Sequence, residues 1–168
     1  MDMDHTLLIQ MLEDGFFAAV AATGFAAISR PPRQAFLWCA IIAAVGPSTR
    51  FLLQHQQTFP QLSGIVVATT LASLVVGILA VLCSPIAKMP AETCLFPSLL
   101  PMIPGMYAYR CFGAMAVCVL HPAKATYDQY FYLFASNGLV CLFTLLGMVL
   151  AASVPIFALR KISFTATR

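Results

Sequence analysis

Leu95 to Arg110 reads LFPSLLPMIPGMYAYR, and the fold turns on how this stretch is accommodated. Pro97, Pro101, Pro104 and Gly105 fall within nine residues of an otherwise apolar chain. A proline in a helix interior removes a backbone donor and its ring clashes with the preceding turn, so three prolines at spacings of four and three cannot continue one regular helix. The stretch predicts a break. Inside a bilayer, broken backbone survives only where protein buries it or water reaches it, and in transporters such breaks mark substrate and ion sites. Beyond Gly105 the sequence MYAYRCFGAMAVCVL becomes helix-compatible again, which turns the first amides of a new helix back towards the break. Arg110 lies about one and a half turns into that helix. A helix N-terminus and a fixed cation together favour an anion. The alternative is an interfacial loop followed by an ordinary span, with Arg110 reaching out to lipid phosphates.

The composition says where such a break sits. Of 168 residues, 61% are hydrophobic and only 9% charged, with a mean hydropathy of +0.89. Soluble domains carry about 25% charged residues, so this chain cannot clothe itself in polar surface and is an integral membrane protein. At about 20 apolar residues per span it holds about five transmembrane helices, or four, in a single all-α membrane domain over residues 1–168. The net charge of +3 comes from scattered Lys and Arg without a basic run, which offers nucleic acid no footprint. The six cysteines form no CxxC pair and no Cys/His cluster at metal spacing, so they read as small apolar residues and imply neither metal nor cofactor. His5, His55 and His121 all lie at segment ends, no Ser/His/Asp arrangement is present, and an enzyme is not expected. The acidic start MDMDHTLLIQMLED lacks the positive region of a signal peptide.

In chain order, the first segment runs from about Thr6, a plausible N-cap, to Ser29. If it starts at Thr6, Glu13 and Asp14 lie ~10 Å along it, inside the span, where carboxylates are costly and mark proton pathways. If the span starts at Gly15, both are solvated. Gly24 would let a neighbouring helix come close. After the basic turn Arg30–Arg33, the uncharged stretch Gln34–Thr49 is only 16 residues long and ends at Gly46 and Pro47, which suits a short span or a re-entrant segment. Thr49 to Gly64 then reads as a polar loop or interfacial helix containing His55. Gly64–Cys83 is the clearest span, with Ser63 as a candidate cap and Pro85 just beyond. The proline-broken stretch follows Lys88 and Glu92 and continues to about Leu120. The last span starts near the aromatic cluster Tyr127, Tyr130, Phe131 and Tyr132, carries Asn137 within it, and is bent near its end by Pro155. With five spans, Arg30, Arg33, Lys88 and the tail Arg160, Lys161 and Arg168 share one side while Arg50, Lys124 and the acidic start share the other. The positive-inside rule then puts the N-terminus outside and the C-terminus in the cytoplasm.

At the break, the pattern Pro101, Met102, Pro104, Gly105, Ala108 and Tyr109 resembles the P-M-x-P-G-x-x-A-Y signature of the threonine/serine exporter family, in the small-subunit form that corresponds to the C-terminal half of the full-length exporters. Asp14, the Gly24–Phe25–Ala26 run, Arg33, Trp38–Cys39–Ala40, Gly46, Arg50, Asn137 and Pro155 fall in register with it. The resemblance implies a secondary exporter of small carboxylate-bearing metabolites in a bacterial inner membrane, threonine and serine or a dicarboxylate such as succinate. It also implies a larger membrane subunit as partner, lipid around both, and room for a higher oligomer.

In that reading the break from Pro101 through Pro104 to Gly105 binds the substrate carboxylate through free amides. Tyr107 and Tyr109 shape the pocket, Arg110 supplies charge, Asn137 adds a polar contact and Asp14 carries the coupling proton. A structural or assembly subunit without its own pathway is the competing reading.

Overall fold

The computed structural model describes residues 2–28, 31–55, 64–121 and 124–159, all ordered elements of which are helical. They form α1 (Asp2–Ile28), α2 (Arg33–His55), α3 (Ile65–Ala87), α4 (Ala91–Leu99), a 3-10 turn (Leu100–Met102), α5 (Gly105–Leu120) and α6 (Lys124–Ala158). Four of these, α1, α2, α3 and α6, are long and apolar enough to cross a membrane, and α4 with its 3-10 turn and α5 pass the same test as a broken pair. The chain is therefore an all-α polytopic membrane protein with four or five spans. The expected Ser63 cap, Arg30, Pro122 and the basic tail Arg160, Lys161 and Arg168 lie outside the described residues.

Several helices run further than the sequence suggests. Thr6 lies within α1 and does not cap it, and Gly15 is no helix start, so Glu13 and Asp14 sit mid-helix. Pro47 lies inside α2, which continues to His55 and measures 23 residues, long enough to cross the bilayer. The proline withholds one N–H, but Ser48 Oγ bonds the Ala44 carbonyl at 2.8 Å and Thr49 Oγ1 the Val45 carbonyl at 2.8 Å, so hydroxyls brace the backbone around the defect. Likewise α3 passes through Pro85 to Ala87 and ends where Lys88 adopts a left-handed conformation (φ 52°) and returns its N–H to the Ser84 carbonyl. Pro97 lies inside α4, so the break is narrower than the three prolines imply, confined to Ile103 and Pro104.

By its contacts the chain divides into two units. The first comprises residues 1–102 and 147–168, and its packing follows the membrane rule that small residues let helices approach while large apolar ones face outward. On α1 the buried positions are Gly15, Ala18, Ala22 and Ala26, whereas Leu12, Phe16, Phe17 and Val20 are exposed. On α3 a buried row at every fourth residue runs Ala68, Ala72, Val76, Ala80 and Ser84. The central helix α2 touches α1, α3 and α4. Two of the glycines mark close helix approaches: a Cβ at Gly15 would lie 3.0 Å from Ser48 Oγ, and one at Gly77 would lie 2.6 Å from the Ala152 carbonyl oxygen of α6. Gly24, by contrast, has nothing within 4 Å of its Cβ direction, so the close approach expected there does not occur among the described residues. The second unit, residues 103–146, holds α5 and the first part of α6. There a Cβ at Gly138 would lie 3.2 Å from Cys111 Sγ.

This packing yields a paired prediction. Gly77→Val pushes a branched side chain against backbone, which cannot move aside, and should cost ~1–3 kcal/mol or more. Gly24→Ala should be neutral or stabilise by up to ~1 kcal/mol, the helix-propensity gain at an open site. Thermal unfolding midpoints in detergent, measured side by side, check both directions.

Candidate functional site

The break is held from the α2 side. Ser98 Oγ on α4 donates to the Cys94 carbonyl at 2.7 Å and approaches the Cys39 carbonyl of α2 at 3.2 Å, pinning the two helices together. Pro97 cannot donate to the Thr93 carbonyl, and the Cys39 thiol faces that oxygen from α2 at 3.8 Å. At the end of the 3-10 turn Met102 is fully buried, and its thioether occupies the space where a Cβ on Gly46 would be, 2.6 Å away. Four residues along α2, on the same side, Arg50 donates from Nη1 to the Met102 carbonyl at 3.4 Å. One helix face thus receives both the side chain and the carbonyl of Met102. The last carbonyls of a helix lack partners within it, and a cation there meets the negative end of the dipole.

Beside this contact lies a cleft of about 300 Å³ lined by Asp14, Phe17, Ala18 and Ala21 of α1, Pro47 and Arg50 of α2, and Pro101. The α1 residues share a face by their spacing of three and four. Asp14 is near enough for its charge to act on Arg50, but no direct ion pair joins them. The cleft therefore presents a carboxyl group and a guanidinium that do not pair, with apolar residues among its other walls.

The second unit has a cleft of its own, about 380 Å³, lined among others by Tyr109, Arg110 and Gly113 of α5 and Tyr130, Leu133 and Asn137 of α6. Asn137 spends an amide hydrogen on the Leu133 carbonyl of its own helix at 2.7 Å. Arg110 has no hydrogen-bond or ion-pair partner among the described residues.

The start of α5 is less open than the sequence suggests. Pro104 has φ −77° and ψ 64°, an inverse γ-turn that delivers the Gly105 N–H to the Ile103 carbonyl at 2.8 Å. The Tyr107 and Ala108 amides both bond the Pro104 carbonyl, at 3.1 and 3.3 Å. Only the Met106 amide is left over at this end among the described residues. Of the residues singled out from sequence, Tyr109, Arg110 and Asn137 come together in one cleft and Asp14 and Pro101 in another, while Pro104, Gly105 and Tyr107 line neither.

Sequence reasoning assigns no role to Arg50, because Gly46–Pro47 reads as a helix end and the residues after it as loop. The signal that could have found it is the i, i+4 spacing of Gly46 and Arg50 across two hydroxyl residues able to carry a helix past the proline. Among the described residues no group of His, Cys, Asp or Glu converges as a metal site requires.

Comparison with known proteins bears on all of these positions. A Haemophilus influenzae protein, itself uncharacterized, is 37% identical over 108 residues, which cover 64% of this chain and 35% of that relative, so the match spans about a third of the relative's length. No solved structure matches. The family described as Threonine/Serine exporter, ThrE, matches residues 14–158, a range that opens at Asp14, takes in both clefts and closes at the last residue of α6. The chain therefore belongs to the threonine/serine exporter family.

Proposed function

We propose that the chain is a subunit of a secondary transporter that exports small carboxylate-bearing metabolites, threonine and serine or a dicarboxylate such as succinate, across the bacterial inner membrane. The observation that carries this reading is the cleft at the helix break, where Asp14 and Arg50 from two membrane-crossing helices meet Pro101. Ionisable side chains within spans are costly and mark substrate and proton pathways. Asp14 is the coupling residue in this reading. The substrate contacts are proposed within each unit by itself: Pro101 beside Asp14 in the first, and Tyr109, Asn137 and Arg110, unpaired among the described residues and so a carboxylate-binding cation, in the second, while Pro104, Gly105 and Tyr107, which line neither cleft, shape the break.

A larger membrane subunit completes the pathway. In favour of this reading, the match covers only 35% of the Haemophilus relative, so that relative is much longer than the segment it shares with this chain. The N-terminus is outside and the C-terminus cytoplasmic: Arg33 and Lys88 fall on one side of the five-span arrangement and Lys124 on the other. Arg50 faces the cleft and drops out of that charge count, which sharpens the asymmetry.

Three outcomes test the proposal. In cells without endogenous exporters, labelled threonine, serine or succinate should leave when this chain is expressed with its larger partner and should be retained when it is expressed alone. Asp14→Asn and Arg110→Gln should each lower that efflux by about tenfold or more at unchanged membrane abundance, a loss of ~1.4 kcal/mol or more; unchanged flux in both would assign the chain a structural role. Gly105→Val should insert and fold normally, because a Cβ there meets nothing within 4 Å, yet should abolish export by filling the face of the break.

A further inference from the structure

The contact between Arg50 and the Met102 carbonyl uses one of the five N–H donors of a guanidinium, and at 3.4 Å it is long. The remaining donors adjoin a cleft of about 300 Å³, at the small end of the ~300–1,000 Å³ typical of ligand sites. Its other walls, Phe17, Ala18, Ala21 and Pro47, are apolar. Asp14 lines the same cleft but does not close onto Arg50, which leaves the rest of the guanidinium open to an anionic ligand. A forked guanidinium fits a carboxylate through two parallel bonds, a far stronger contact than one long bond to a carbonyl.

We propose that Arg50 is a binding residue for the carboxylate of the transported solute, and that this carboxylate takes the guanidinium over from Met102, so that filling the cleft releases the end of the helix before the break. The site rests on the transporter reading above but is separate from the cleft of Arg110. When the solute binds, the Met102 carbonyl loses its donor, and the segment between Leu100 and Pro104 becomes free to change conformation. Gly46 matters for a different reason: it seats the Met102 side chain and keeps the released segment in register.

The test is hydrogen–deuterium exchange of the backbone between Leu99 and Met106, on the full chain in lipid nanodiscs, without solute and with saturating L-threonine or succinate. Without solute, Arg50→Gln should raise exchange there about tenfold over the native chain, and Arg50→Lys, which keeps the charge but not the fork, should fall between them. With solute, the native chain should rise towards the Arg50→Gln level while Arg50→Gln itself does not respond. Equal exchange in native and Arg50→Gln chains without solute would overturn the hold on the break, whatever the protein transports. A native chain that responds to neither solute, or an Arg50→Gln chain that responds as the native one does, would overturn the carboxylate role. Loss of export in the paired-subunit assay, with the solute-free difference intact, would instead count against the transport reading and leave the hold on Met102 standing.

Discussion

A proline in a membrane helix leaves a carbonyl one turn earlier without its donor, and no water is available in the hydrocarbon to replace it. This chain carries eleven prolines, and its architecture around the break is an answer to that constraint. Several carbonyls near these prolines are met by different devices. Beside Pro47 the hydroxyls of Ser48 and Thr49 fold back on the helix. Below Pro97 a thiol from the neighbouring helix faces the exposed Thr93 oxygen. At Ile103 a γ-turn closes on Gly105, and at Met102 the donor is the Arg50 guanidinium. Three of these solutions use groups of ordinary membrane helices. The last uses a charge, which costs far more to hold in a span and so calls for a role beyond satisfying one oxygen.

The order of these devices along the chain explains why the break is narrow. Pro97 and Pro101 could each have ended the helix, yet α4 runs on through Pro97 to Leu99 and the 3-10 turn carries it to Met102. Ser98 tethers α4 to α2 on one side and Gly46 admits Met102 on the other, so packing against α2 compensates for missing backbone bonds until the last possible residue. Only at Ile103 and Pro104 does the path give way. The break is thereby confined to two residues between helical segments.

Much of this was legible in the sequence, but unevenly. The membrane class, the all-α fold, the number of spans and the existence of the break follow from apolar run lengths and proline spacing, which are local. The small-residue stripes of α1 and α3 are also visible as repeats at every fourth position. The helices run on through Pro47 and Pro85, where the sequence suggests ends, because proline's helix-breaking effect in water overstates its effect inside a packed membrane bundle. That one error concealed Arg50, since a residue assigned to a loop is not asked what it faces across a bundle. The amides at the start of α5 were overcounted for a related reason: which of them remain free depends on the turn at Pro104, and a γ-turn cannot be told from an open cap by composition.

The separation of Asp14 and Arg50 is the feature from which the chemistry of the cleft follows. Had they closed into a direct pair, each would satisfy the other and the cleft would be electrostatically silent. Unpaired in a cleft whose other walls include apolar residues, they instead present a dipole whose positive end also holds the break. A ligand that supplies an anion to Arg50 must then displace a carbonyl, while one that supplies a cation to Asp14 displaces nothing. Under the proposed role of Arg50, recognition of the two ends of a solute is unequal: one end changes the conformation of the chain and the other only adds affinity. The proposed coupling of occupancy to movement through a single arginine requires that arginine to lie on the helix that also seats Met102, which is where Gly46 and Arg50 stand.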